Sequence, residues 1–163
     1  DRRIDVIATA MRAGLSATDL IDLDLAYAPP YGQAKDPVNQ TGMVAHNVLT
    51  GELVLTGPDA LTEDMPVLDV RTPGEYAAGH MPNSLNIPHT QLRDRLDEVQ
   101  AWVDESVGAQ PFVVMCAAGV RSWIGYRIVR HAGFNVTMLS GGIQTLRAWL
   151  GERAEAVLVT GEG

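Results

Sequence analysis

Cys116 and Arg121 bracket four small or apolar residues, Ala117, Ala118, Gly119 and Val120, in the stretch "CAAGVR", and Cys116 is the only cysteine in the chain. Before them runs an apolar strand, "FVVM", and after them a helix pattern, "RSWIGYRIVRHAG". A thiol in that place has backbone N–H groups converging on it from a short loop and from the start of a helix. Both favour thiolate over thiol and make the sulfur a nucleophile at neutral pH. Ala117, Ala118 and Gly119 leave the amides unobstructed. Arg121 supplies a planar fork of donors, suited either to an oxyanion or to bracing the loop carbonyls. A free cysteine near a strand end is often an inert core residue. Here the small-residue loop, the closing arginine and the following helix together point to a working thiolate. His46, His89 and His131 have no metal-ligand spacing, and Met115, Trp123 and Ile124 read as core.

These residues need a scaffold, and from Gly51 onward the sequence supplies an alternating one. "ELVLTG", "PVLDV", "SLNIP", "PFVVM" and "NVTML" read as strands. Between them, "PDALTED" reads as a helical turn and "TPGEYAAGH" as a helix with Pro73 in its first turn. "HTQLRDRLDEVQAWVDES" carries Leu92, Leu96, Val99 and Val103 at helical spacing, and "IQTLRAWLGE" is the last helix. Apolar strands alternating with helices predict an α/β fold, a mainly parallel sheet covered on both faces. Ligands of such sheets bind at the carboxyl ends of strands, where Cys116 lies. The tail, residues 152–163, reads either as a packed strand or as disordered.

The preceding residues are different. Ile4, Ile7, Ala8 and Met11 recur at helical spacing, Gly14 is a stop, and Ser16 with Asp19 caps a second short helix, "ATDLIDLDL". "AYAPPYGQAKDPVNQTG" then breaks all periodicity and reads as a loop. This segment is too short for its own core and reads as the end of something longer. The whole chain has a net charge of −8, which argues against nucleic acid and anionic membrane as partners. No apolar run approaches membrane-spanning length. A lone cysteine is accounted for most simply by a reducing, cytoplasmic setting, with a bridge between two chains as the alternative.

"VLDVRTPGEYAAGHMPNSLNIP", residues 67–88, resembles the first signature of rhodanese-like domains, with Asp69, Arg71, Glu75, Gly79, His80, Asn86 and Ile87 at the family's positions. "CAAGVRS" resembles the family's active-site loop. "LSGGIQTL", residues 139–146, resembles its closing glycine pair, with Ile143 where the family commonly has Trp. The resemblance covers about residues 52–151. It implies sulfur transfer: the Cys116 thiolate takes the outer sulfur of a donor as a persulfide and passes it to a thiophilic acceptor. Persulfide, polysulfide and thiosulfate are the small-molecule donors and acceptors it suggests. No metal or general base is required for such a nucleophile. Asp69 and Arg71 are expected to support or brace the fold, and Glu75 and His80 to form a structural pair holding the turn. Phosphatases of related fold have five residues between cysteine and arginine, which makes room for phosphate. Here there are four, which suits sulfur.

"RRIDVIATAMRAGLSATDLIDLDLAYAPPYGQAKDPVNQTGMVAHNV" resembles the end of the dimerisation domain of flavin-dependent pyridine nucleotide–disulfide oxidoreductases, in the coenzyme A disulfide reductase branch. The resemblance implies that Tyr27 reaches across a dimer to assist reduction of a coenzyme A disulfide or persulfide. Read from the residues alone, Tyr27 and Tyr31 are equally well packing aromatics on a proline-rich loop. The resemblance also implies FAD, NAD(P)H and coenzyme A for the parent protein. No G-x-G-x-x-G occurs in this chain, so none of these cofactors is expected to be bound by these residues alone.

The organisation expected is therefore residues 1–49 from a reductase dimerisation domain, residues 52–151 a rhodanese-like domain, and residues 152–163 a tail. The partners expected are sulfur donors and acceptors and upstream reductase domains. The apolar face of residues 1–25 is expected either to associate into a homodimer or to stay disordered. The rival reading is a non-catalytic docking or regulatory module of the reductase.

Overall fold

The computed structural model describes residues 2–161 and divides the chain into two units, residues 1–53 and 54–163. In the first unit, helix α1 (Arg2–Arg12) is followed by a four-residue 3-10 turn, Asp19–Asp22. The expected cap forms: Asp19 accepts from the Ser16 amide (2.7 Å) and hydroxyl (2.6 Å), although the helix after it stops at one turn. Of the residues at helical spacing in α1, Ile7 alone is half-buried and Ile4, Ala8 and Met11 are exposed; the buried residue of the helix is Ala10.

Residues 37–42, expected as the end of a loop, instead begin helix α2 (Pro37–Leu49). Asp36 is its N-cap, accepting from the Val38 amide at 2.9 Å, and Pro37 occupies the first helical position. The Asn39 side-chain amide, buried, donates to the carbonyls of Leu20 (3.0 Å), Ile21 (3.2 Å) and Leu23 (2.9 Å). Those bonds tie the 3-10 turn to α2. Gly42 lets the two backbones meet, since a Cβ there would lie 2.9 Å from the Ile21 nitrogen. Ala10, Leu20 and Val38 form the small core of this unit, with Val6, Ile7, Leu23 and Leu25 around it.

The second unit holds five strands: β1 (Leu55–Thr56), β2 (Val67–Asp69), β3 (Ser84–Asn86), β4 (Phe112–Met115) and β5 (Val136–Leu139). They form one sheet in the order β1-β5-β4-β2-β3, every neighbouring pair parallel. The sheet is as expected from the alternating pattern, with β4 at its centre. The connectors are helices α3 (Pro73–Ala77), α4 (Leu96–Trp102), α5 (Val120–His131), α6 (Gly142–Leu150) and α7 (Ala154–Val157). The "PDALTED" segment makes hydrogen-bonded turns but no helix. The long helix expected over residues 89–106 is broken into a 3-10 turn (Leu92–Arg95), α4 and a π-helical turn (Val103–Val107).

Side chains of the strands alternate between two cores. Val67, Val113, Met115 and Leu139 point to one face and pack on Ile143 and Leu146 of α6, with Met81 and Leu158. On the other face Phe112 meets Trp102 and Phe134 edge-on, and α5 lies against Val70, Val114 and Leu92 through Gly125. Residues 152–161 are part of this unit. Leu158 is buried in the first core, and Val159 exchanges backbone hydrogen bonds of 3.0 Å with His80. No described helix is long and apolar enough to cross a membrane.

Candidate active site

Strand order fixes where a site can lie. The chain leaves β2 toward β3 on one side, and leaves β4 toward β5 on the other, so the carboxyl ends of β2 and β4 flank the point where the winding reverses. Loops splay apart there and leave a crevice. Cys116 ends β4 on one bank; Val70 to Thr72 end β2 on the other.

On the β4 bank, Cys116 is 1% exposed. Its sulfur accepts from the Gly119 amide at 3.1 Å, and the thiol donates to Ser122 Oγ at 3.3 Å. The Ser122 hydroxyl in turn donates to the Gly119 carbonyl at 2.8 Å. On ionisation of the sulfur that hydroxyl can turn its proton toward it. Burial by itself pushes the Cys116 thiol up. The Ser122 hydroxyl, with the amides of Gly119, Ser122 and Ala118, outweighs burial, and the net displacement is below the ordinary thiol value. Gly119 has φ +129°, a conformation L side chains rarely adopt, and it turns the chain so that its N–H faces the sulfur.

The loop is held from outside. The first amides of α6 donate back to it, Ile143 to the Cys116 carbonyl (2.9 Å) and Gln144 to the Ala117 carbonyl (3.1 Å). Gly142 makes this approach feasible: it has φ +61°, and a Cβ would fall 2.5 Å from the Cys116 carbonyl oxygen.

On the β2 bank, Asp69 and Arg71 form a buried ion pair, with the Arg71 amide also donating to Asp69 at 3.0 Å. Arg71 Nη2 continues to the Gly79 carbonyl (2.8 Å), and the Asn86 side chain donates to the carbonyls of Asp69 (2.8 Å) and Arg71 (3.1 Å). These residues hold the loop after β2.

A bidentate ion pair spans the crevice. Arg121 Nη1 and Nη2 donate to the two carboxylate oxygens of Glu75, each at 2.7 Å. Glu75 also completes a capping box with Thr72 at the start of α3. The Arg121 fork, opposed by partial burial and helped by Thr72, lowers the Glu75 carboxyl to about 2. Two expectations change here. The Arg121 fork neither braces loop carbonyls nor stands free for an oxyanion; it lies on Glu75. Glu75 is not paired with His80, which stacks on Tyr76 (ring centroids 3.7 Å apart) and hydrogen-bonds to the Tyr76 carbonyl (3.0 Å).

Of the loop residues, Ala117 and Gly119 are half-buried and Ala118 and Val120 exposed. Met115 is core, as expected, but Trp123 is half-buried and Ile124 exposed. Ser122 was not singled out in the sequence, although a serine six positions after the cysteine, on the first turn of α5, is a visible signal. Tyr27 and Tyr31 lie in the first unit, 52% and 91% exposed. Among the described residues no cluster of His, Cys, Asp or Glu could hold a metal ion.

With this geometry in hand, comparison with known proteins is specific. A sequence profile of the rhodanese-like domain matches residues 57–148. The structure of reduced Bacillus anthracis CoADR-RHD is 37% identical, superposes with a TM-score of 0.83, and is matched over 94% of this chain and 27% of that one. An NAD-dependent persulfide reductase from A. fulgidus is 41% identical with a TM-score of 0.74, over 87% of this chain and 25% of that one. A coenzyme A disulfide reductase of Staphylococcus haemolyticus is 44% identical over 48 residues, 29% of this chain and 11% of the relative. The chain thus spans about a quarter or less of the length of each of these proteins.

Proposed function

The chain belongs to the rhodanese-like family, and from that premise we infer that it transfers sulfur through Cys116, as the sulfur-handling part of a coenzyme A disulfide, persulfide or polysulfide reductase. The observation that carries this reading is a thiol displaced toward thiolate by the Gly119 amide and the Ser122 hydroxyl at the carboxyl edge of a parallel sheet. The thiolate attacks the outer sulfur of the donor, and the bond between that sulfur and its leaving group breaks. The leaving group departs with the electron pair, and Cys116 becomes a persulfide. An acceptor thiolate then attacks the outer sulfur and restores Cys116. Sulfur changes hands and nothing is oxidised overall. Gly119 and Ser122 hold the negative charge of the thiolate, then of the ionised persulfide.

Charge in the loop bears on the donor. Residues 117–120 are uncharged and Arg121 is already paired, which favours persulfide or polysulfide over dianionic thiosulfate. FAD, NAD(P)H and coenzyme A belong, on this reading, to reductase domains outside these residues. The residues here do not fit a dinucleotide. The crevice where one would lie is bridged by Glu75 and Arg121, and no glycine-rich fingerprint follows any strand. In the same parent enzyme residues 1–49 contribute to dimerisation, and Tyr27 to the partner's active site.

Intact-protein mass spectrometry after incubation with a polysulfide, and separately with thiosulfate, tests the reading. The expected result is a gain of one sulfur, removed by cyanide and absent from Cys116→Ser. No gain from either donor on folded protein overturns it and favours the docking module.

A further inference from the structure

Arg121 is the only charged side chain between Cys116 and Trp123, and both of its terminal nitrogens are spent on Glu75 at 2.7 Å. Glu75 is itself fixed by the Thr72 amide (3.1 Å) and hydroxyl (2.8 Å), so its carboxylate is anchored to α3 rather than trailing in solvent. Arg121 lies five positions after Cys116, at the start of the helix that closes the loop. The one positive charge of the loop that Cys116 opens is therefore met in place by a carboxylate from the opposite bank of the crevice.

We propose that Glu75 is a specificity-determining residue: by holding both arms of Arg121 it withdraws the one cation of the loop from the sulfur donor, and so discriminates against doubly charged donors. The inference rests on the sulfur-transfer reading above. With thiosulfate, the thiolate forms a bond to the outer sulfur while sulfite leaves as a dianion, and two negative charges must be accommodated beside a neutral ion pair. With an alkyl persulfide, R–S–SH, the leaving group is a monoanionic thiolate and the demand for a counter-charge is smaller. Releasing Arg121 adds a charge-assisted, bidentate site for the sulfite oxygens and changes the balance.

The experiment compares kcat/KM for loading Cys116 from thiosulfate with that from a low-molecular-mass alkyl persulfide, read by the mass gain. Glu75→Gln keeps a side chain able to accept at the α3 cap but removes the charge. Its thiosulfate-to-persulfide ratio is expected to rise about tenfold or more over the unsubstituted protein, and the gain to fall as salt is raised. The double variant Glu75→Gln/Arg121→Gln restores a neutral site and is expected to return the ratio to within about twofold of the original. A ratio unchanged in Glu75→Gln, with both rates lowered together, overturns the proposal and leaves Glu75 structural. So does a tenfold fall in the ratio in the double variant, which would mean that Arg121 already binds the donor. If Glu75→Gln does not fold, Glu75→Ser, which removes the charge with a smaller side chain that can still accept, takes its place, and the same rise in the ratio or its absence decides. Failure of the unsubstituted protein to load from either donor is a different result: it removes the sulfur-transfer reading itself.

Discussion

Ser122 does its work through one hydroxyl. It accepts from the thiol and donates to Gly119 in the resting protein, and it can reverse toward the sulfur when that ionises. Removing it should leave burial less opposed, so Ser122→Ala is expected to raise the Cys116 pKa, because the ionised sulfur loses a hydrogen-bond donor. The rate of alkylation by iodoacetamide against pH reads this directly, as a midpoint moved upward. The sign for stability follows. A thiol lowered on folding stabilises the protein above its unfolded-state value, and that contribution is lost as pH falls through the folded value. Ser122→Ala should flatten this dependence, which denaturant unfolding between pH 6 and about 9 will show. Cys116 could be singled out from sequence because strand, small loop and helix are contiguous. The Glu75–Arg121 pair could not, because it joins residues 46 apart and no local pattern encodes which carboxylate reaches across a crevice.

Among the elements, the start of α6 is the second wall of the loop. Its amides hold the carbonyls of Cys116 and Ala117, and Gly142 brings them into range with a left-handed backbone. Gly142→Ala meets both a strained φ and two carbonyl oxygens. It is expected to cost about 1–3 kcal/mol of stability and to slow sulfur loading, measured by thermal melting and by the mass gain. The strands were legible because each falls in a short stretch with apolar residues bounded by polar or turn residues, β4 (Phe112–Met115) being wholly apolar. Helix α2 was not, because Pro37 and Gly42 read as breakers. In context Pro37 is the favoured first residue after the Asp36 cap, and Gly42 is the contact with the 3-10 turn. The single helix expected over residues 89–106 failed for the converse reason: its apolar spacing was right, but Leu92 reaches the core from a 3-10 turn and Val99 from α4.

At the scale of the whole molecule, the second unit continues beyond the residues that the rhodanese-like profile matches. The profile ends at residue 148, whereas the core closes with Leu158, packed with Val67, Met81, Met115 and Ile143. In "AEAVLVTGEG" the run Val157-Leu158-Val159 allows a packed strand, one of the two readings of the tail, but three apolar residues are too short a run to decide between them. Leu158→Ala is expected to cost about 2–3 kcal/mol, seen as a lower denaturant midpoint with an unchanged slope. Were the tail loose, the substitution would be silent.

The depth of Cys116 has a bearing on who can take sulfur from it. With the residue 1% exposed, a sulfur carried on it, on the reading proposed above, would extend only one S–S bond, about 2 Å, further out. A thiol lying flush on a broad protein surface would meet the exposed loop residues Ala118 and Val120 before the buried cysteine. A thiol borne at the tip of a slender, flexible arm would reach past them. On that reading the depth of Cys116 would select its correspondents by their reach, quite apart from their charge, and delivery would be a matter of threading rather than of surface docking.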